Sequence, residues 1–109
     1  MQNQLFVYGT LGPGRPNAHI LEALDGQWSE AYVIGRLVDA GWGAESGFPA
    51  LVLDGDGEKV SGYLFKSDSL PKNWPMLDAF EGDEYERVSV EVTVSNSGIE
   101  MAQVYVLKA

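Results

Sequence analysis

YERVSVEVTVS, residues 85–95, alternates polar and apolar side chains from Arg87 to Ser95. In an extended chain the valines at 88, 90, 92 and 94 point to one side, and the charged and hydroxyl side chains between them point to the other. This period of two predicts a half-buried strand of an antiparallel sheet. Asn96-Ser97-Gly98 has the composition of a turn and leads into a second apolar segment, Ile99–Leu107, so the two segments are predicted to form a hairpin.

Four shorter apolar segments precede this hairpin, at residues 5–8, 31–38, 49–53 and 60–66. Glycine or an acidic residue adjoins each of the first three, which is typical of short strands. Asp54-Gly55-Asp56-Gly57-Glu58 has the composition of a hairpin turn between the last two. Strands joined mostly by short turns predict an α+β fold, with a small, curled, antiparallel, barrel-like sheet and short flanking helices.

Two short helices are predicted between the strands. Residues 17–24 place apolar side chains at helical spacing after a turn rich in glycine and proline. Within residues 69–82 the second short helix is predicted to run through Met76, Leu77 and Phe80, where Pro75 fits its first turn and Gly82 fits its end. Glu81 is then expected at the C-terminal end of that helix.

The composition indicates an ordinary globular protein. The 109 residues are predicted to form a single domain, 1–109, with 45% hydrophobic residues and a net charge of −9. This negative charge disfavours binding to nucleic acid and to anionic membrane surfaces. The N-terminus resembles no signal peptide, and no apolar run is long enough to cross a bilayer, so we expect a soluble cytoplasmic protein.

The residue inventory also limits the chemistry. Cysteine is absent and His19 is the single histidine, which excludes disulfides, thiolate catalysis and metal sites built from cysteines or several histidines. Carboxylates, hydroxyls, tyrosines and backbone amides remain as the groups available for catalysis.

The segment Tyr8-Gly9-Thr10-Leu11-Gly12 is the first candidate for a site. A strand gives way here to a bend in which successive backbone N–H groups can form a concavity that binds an anion. Gly9 would then allow close approach of a ligand because it has no side chain. The alternative is that Gly9 simply permits the turn.

Glu81 is the second candidate. A carboxyl buried near a helix C-terminus, beside Phe80, Tyr85 and Trp74, has a raised pKa and can act as a base and then as an acid. The nearby Asp83 and Glu84 are expected to act in the same direction. The alternative is that Glu81 is one more solvated acid among 16 acidic residues.

Other residues are weaker candidates. His19 is expected to be a surface or packing residue on the first helix. Arg15 and Arg36 are expected to pair with the abundant acids. The residues considered for the walls of a pocket are Trp42, Glu45, Phe48 and Trp74.

Short motifs follow one another along nearly the whole chain. They are FVYGTL (6–11), Asn17 with His19, GRL (35–37), GFPAL (47–51), VSGYL (60–64), LDAFEG (77–82), YER (85–87) and VY (104–105). In this order and spacing they resemble the gamma-glutamylcyclotransferase-like proteins, a family that includes the gamma-glutamylamine cyclotransferases and the plant AIG2-like proteins.

The resemblance implies a function and a site. It implies a small barrel-like fold and an enzyme, of the amide-cleaving lyase or acyltransferase type, that releases 5-oxoproline from a small gamma-glutamyl substrate. By the same resemblance, Glu81 is the catalytic glutamate, Tyr85 is an aromatic residue beside it, and Tyr8, Gly9, Thr10 and Leu11 hold the gamma-glutamyl group, largely through backbone atoms. It also implies architectural roles for Pro49 and Gly62, and supporting roles for Arg87 and Tyr105. The implied chemistry needs neither a metal nor an organic cofactor.

Two alternatives remain open. The same fold could serve as a non-catalytic module that binds a small ligand or regulates another protein. The same residues could also serve a lyase that removes a gamma-glutamyl protecting group from a specialised metabolite. The sequence alone does not distinguish among the leaving amines and indicates no oligomeric state.

Overall fold

The computed structural model describes residues 3–9, 11–15, 17–39, 49–95 and 98–108. Its elements in chain order are β1 (Gln4–Val7), α1 (Ala18–Glu22), β2 (Gln27–Val38), β3 (Ala50–Leu53), β4 (Glu58–Lys66), α2 (Leu70–Glu81), β5 (Tyr85–Val94) and β6 (Gly98–Leu107).

The predicted hairpin is confirmed as β5 and β6, which pair antiparallel from Tyr85–Leu107 to Val94–Gly98. Gly98 ends the turn with a φ of 83°, a backbone conformation that glycine adopts without strain. Along β5 the valines face the core, where Val92 and Val94 are buried, whereas Glu91 on the opposite side is exposed. The alternation in the sequence therefore sets which face of this hairpin is buried.

Five of the six strands close a barrel. β4 pairs with β2 and β1, β6 pairs with β1 and β5, and β5 pairs with β2 to complete the ring. The predicted α+β fold, with a curled barrel-like sheet and two short helices, is confirmed. One pair differs from the antiparallel prediction, because β1 and β6 run parallel where Leu5 meets Gln103. These are the first and last strands, so no tight turn between them requires opposite directions.

The predicted hairpin turn at residues 54–58 is wrong. β3 and β4 both run antiparallel to β2 and therefore run in the same direction. β3 pairs with residues 35–38 of β2 and β4 pairs with residues 27–35, so the turn is a short excursion between two strands that pair in succession with β2. Asp54 closes it, because its carbonyl oxygen accepts the Gly57 N–H at 2.9 Å and its carboxylate accepts the Asp56 N–H at 3.0 Å.

Two apolar clusters stabilise the fold through burial of apolar surface. One lies inside the barrel and receives residues from every strand. The other lies between the barrel and the two helices. β1 contributes to both clusters, since Leu5 and Val7 face the helices and Phe6 faces the barrel interior. Gly62 of β4 packs so closely against β1 that a Cβ there would overlap the Val7 carbonyl oxygen, which supports the architectural role expected for this glycine.

The second helix begins one turn earlier than predicted. Pro71 occupies its first turn, and Pro75 lies inside the helix, where it offers no N–H to the preceding turn. The helix continues through Pro75 because Leu70, Trp74 and Leu77 are buried against the barrel. Gly82 ends it as predicted, with φ 89° and ψ −179°.

Candidate functional site

The loop that follows β1 is the first part of the candidate site. It is held by a tight turn in which the Gly12 N–H donates to the Gly9 carbonyl oxygen at 3.1 Å. A Cβ built on Gly9 would meet no atom within 4 Å, so the backbone there is open to a ligand. Leu11 is buried between the barrel and the helices and anchors the loop. Thr10, predicted to contact the substrate, lies outside the described residues.

Tyr8 joins three strands at the start of this loop. Its hydroxyl donates to the Tyr105 carbonyl oxygen at 2.7 Å and accepts the Leu51 N–H at 3.1 Å. Burial, together with the nearby Glu81 charge, raises the pKa of this hydroxyl well above its usual value. Tyr8 therefore remains a neutral donor whose proton is already engaged, and its backbone is the part available to a substrate.

A cleft of about 190 Å³ opens beside the loop. Tyr8, Gly9 and Gly12 form one wall, and Arg15 and Glu30 bring a positive and a negative charge to its lining. Glu81 and Tyr85 do not line this cleft. The loop therefore lines an open cleft to which Glu81 does not contribute.

Glu81 is the last residue of α2, and only 9% of it is exposed. Burial raises the pKa of its carboxyl from 4.5 to about 7. Asp83 and Glu84, which the sequence led us to expect as contributors, are exposed. Desolvation of the carboxyl is therefore the physical cause of the shift, and near neutral pH the group can both accept and donate a proton.

Three tyrosines lie within electrostatic range of Glu81. Its negative charge adds to the effect of burial in raising the pKa of Tyr8, Tyr85 and Tyr105. Tyr8 belongs to the loop segment, so the fold brings together the two segments that the sequence singled out. Tyr85, expected beside the glutamate, is buried in the same region.

Comparison with known proteins assigns the family. The sequence profile named "Gamma-glutamyl cyclotransferase, AIG2-like" matches residues 5–109, nearly the whole chain. The chain belongs to the gamma-glutamyl cyclotransferase, AIG2-like family. A gamma-glutamylaminecyclotransferase from Bos taurus is 37% identical over 101 residues, which cover 83% of this chain. The chain spans about half, 56%, of the length of that relative.

Two solved structures share the family fold. YkqA from Bacillus subtilis superposes with a TM-score of 0.76 at 29% identity, over 99% of this chain and 36% of that protein. An AIG2-like protein from Mus musculus superposes with a TM-score of 0.75 at 25% identity, over 95% of this chain and 76% of the mouse protein.

In this family member a polar cluster supports the helix of Glu81, and its centre is Asp78, a residue that the sequence analysis did not single out. Asp78, one turn before Glu81, accepts hydrogen bonds from Tyr105 Oη at 2.7 Å and Arg87 Nε at 2.9 Å. Burial of Asp78 opposes ionisation, but the hydrogen bonds from Arg87 and Tyr105 outweigh it and lower the pKa of this carboxyl. Spacing along α2 places Asp78 near Glu81, whereas its partners follow only from the hairpin register, in which Arg87 lies opposite Tyr105.

The remaining candidates that the structure describes are an exposed histidine, an ion-paired arginine and a buried tryptophan. His19 is exposed, and Arg36 forms an exposed ion pair with Asp54 at 3.1 Å. The Trp74 ring is buried, and the Arg87 guanidinium lies 4.4 Å from its centre. Trp42, Glu45 and Phe48 are outside the described residues.

The described residues include neither a metal-binding cluster nor a membrane-spanning helix. Within the five described ranges, no group of three or more histidine, cysteine or acidic side chains could hold a metal ion. Among the same residues, no helix is long and apolar enough to span a membrane.

Proposed function

We propose that this protein is a gamma-glutamyl cyclotransferase that releases 5-oxoproline from a gamma-glutamyl amine or amide. The observation that carries the proposal is a buried carboxyl with a pKa of about 7, held near a loop with an open backbone. Family membership supports the reaction class. The leaving amine and the residues that recognise it remain part of the proposal.

In the proposed reaction the substrate supplies its own nucleophile. Its α-amine attacks its γ-carbonyl carbon, so a C–N bond of the five-membered lactam forms and the original γ-amide C–N bond breaks. Glu81 in its ionised form takes a proton from the attacking amine and returns it to the leaving amine. The protein has to fold the substrate into a productive geometry, and intramolecular ring closure benefits strongly from such orientation.

The loop would hold the charged end of the substrate. Backbone N–H groups of residues 8–11 are the proposed donors to the α-carboxylate, to the developing oxyanion, or to both. Local donors of this kind are needed because the net charge of −9 repels an anionic substrate. Tyr85 is proposed to contact the substrate beside Glu81. The chemistry uses neither a metal nor an organic cofactor, and a cytoplasmic location remains a prediction.

The test is a screen for 5-oxoproline release from gamma-glutamyl amino acids, gamma-glutamyl amines and gamma-glutamyl-ε-lysine. We expect Glu81→Gln to lower kcat by about 100-fold or more, since a positioned proton-transfer group contributes roughly that factor. Glu86→Gln is the matched control, because Glu86 is an exposed acid on β5.

Each other outcome has a defined meaning. Full activity in Glu81→Gln would contradict the assignment of the catalytic residue. Binding of gamma-glutamyl compounds without turnover would favour a non-catalytic module. Release of 5-oxoproline only from a protected specialised metabolite would favour the dedicated lyase.

A further inference from the structure

Tyr105 contacts both halves of the candidate site. Its backbone carbonyl oxygen accepts the Tyr8 hydroxyl at 2.7 Å, which anchors the start of the loop. Its own hydroxyl donates to Asp78 Oδ1 at 2.7 Å, which anchors the helix that carries Glu81. One residue of β6 therefore links the loop to the last turn of α2.

The partners of Asp78 are themselves fixed. Arg87 donates to Asp78 from Nε at 2.9 Å and from Nη2 at 3.4 Å, and its Nη1 donates to Gln103 Oε1 at 3.1 Å. Gln103 is buried and donates onward to Ser89 Oγ at 2.9 Å. Arg87 lies opposite Tyr105 in the hairpin, and Ser89 lies opposite Gln103. Asp78 is thus held from two paired strands of the barrel wall, although its side chain is partly exposed.

The helix is also fixed immediately after Glu81. The Gly82 N–H donates to the Asp78 carbonyl oxygen at 3.1 Å. Gly82 has φ 89° and ψ −179°, a conformation that is essentially restricted to glycine and that ends the helix at once. Glu81 therefore lies between a side-chain anchor three residues before it and a sharp backbone stop one residue after it.

We propose that Tyr105 and Asp78 are positioning residues that fix the Glu81 carboxyl relative to the loop at residues 8–12. This inference rests on the proposed cyclotransferase function. Neither side chain needs to touch the substrate. Each side chain acts on catalysis by setting the distance and direction from which Glu81 reaches the proton that it transfers. Intramolecular reactions are very sensitive to such geometry.

Tyr105→Phe tests this role selectively, because it removes the hydroxyl and keeps the backbone carbonyl that holds Tyr8. The loop anchor should survive and the helix anchor should be lost. We expect kcat to fall about 10- to 100-fold, with KM within about twofold of the wild-type value. Ser89→Ala is the matched control, since it removes a hydrogen bond of the same cluster that does not involve Asp78.

Substitutions of Asp78 provide a second, independent comparison. Asp78→Asn retains an oxygen that can accept the Tyr105 hydroxyl, whereas Asp78→Ala retains none. We expect Asp78→Asn to keep clearly more of the wild-type kcat than Asp78→Ala. Equal kcat values in the two variants would overturn the positioning role of Asp78.

A titration that needs no turnover separates this inference from the proposed function. The ¹³C signal of the Glu81 carboxyl, assigned by its loss in Glu81→Gln, should titrate near pH 7 in the wild type. In Tyr105→Phe its pKa should fall towards 4.5, because a loosened helix end admits water. Burial and the Glu81 charge raise the pKa values of Tyr8, Tyr85 and Tyr105, so these three hydroxyls stay neutral in this range.

The two readouts give distinct refutations. If Glu81 titrates identically in Tyr105→Phe and kcat is unchanged, the positioning role is wrong, even where thermal stability falls. If the wild type releases no 5-oxoproline but the titration shifts as expected, the proposed function fails and the positioning of Glu81 stands.

Discussion

Replacing Glu81 by glutamine should stabilise the fold at alkaline pH, the opposite of what most substitutions at buried positions do. Glu81 is 9% exposed, and burial raises the pKa of its carboxyl to about 7. Above that pH the folded protein must keep a charge in a poorly solvated place, whereas the unfolded chain exposes the same charge to water. Glutamine fills nearly the same volume without a charge.

The size and sign of the effect follow from linkage between protonation and folding. Below pH 4.5 Glu81 is protonated and uncharged in both the folded and the unfolded protein, so it has no effect on stability through its charge. Between pH 4.5 and about 7 the unfolded chain loses its proton first, so wild-type stability declines as the pH rises. Above about pH 7 the folded protein carries the full free-energy cost of the buried charge. The interval from 4.5 to about 7, at 1.36 kcal/mol for each pKa unit, corresponds to about 3 kcal/mol.

Urea denaturation of both proteins across this pH range measures the effect. The difference in unfolding free energy between Glu81→Gln and the wild type should grow with pH by about 3 kcal/mol and level off above about pH 8. Glu86→Gln, at an exposed position, should show no comparable growth. A difference that is constant with pH, or that shrinks as the pH rises, would refute the argument that burial of the charge is costly.

Three further predictions follow from the same contacts. In the wild type, kcat/KM should rise with pH through about 7, because Glu81 must be ionised to accept a proton; a limb near pH 4.5 in the pH–rate profile would contradict this. Tyr8→Phe should lower the unfolding free energy by about 2 kcal/mol in urea titrations, because the Leu51 N–H loses its acceptor and the Tyr105 carbonyl loses a donor; a loss below about 0.5 kcal/mol would be inconsistent with these bonds. Gly82→Ala should cost about 1–3 kcal/mol through backbone strain and should also lower kcat, whereas Gly98→Ala, with φ 83° at the β5–β6 turn, should lose stability and keep kcat. Equal kcat values for these two glycine variants would show that the helix end does not position Glu81.

The features predictable from sequence are those governed by local rules. The alternation along residues 85–95 and the turn before Gly98 were enough to predict the β5–β6 hairpin and its buried face. Gly82 was enough to predict the end of α2, because a helix commonly ends where a glycine follows its last turn. The apolar neighbours of Glu81 indicated burial as one of two alternatives, and the structure shows the residue buried.

The features that were missed depend on contacts between distant parts of the chain. The parallel pairing of β1 with β6 and the shared direction of β3 and β4 are set by closure of the barrel, on which local turn composition has no bearing. The start of α2 was misplaced because burial of Leu70 and Trp74 outweighs the backbone cost of Pro75. The bond from Asp78 to Tyr105 spans 27 residues and requires both the hairpin register and the packing of α2.

The pairing of β1 with β6 has a consequence for how the protein folds. The bond from Tyr8 to the Tyr105 carbonyl joins residues 97 positions apart, so the loop is fixed only after nearly the whole chain has been ordered. Contacts of such long sequence separation form late, because the entropy of closing the intervening chain must be lost first. During refolding, recovery of activity should therefore coincide with the slowest ordering step. An activity measurement then counts only molecules whose barrel has closed.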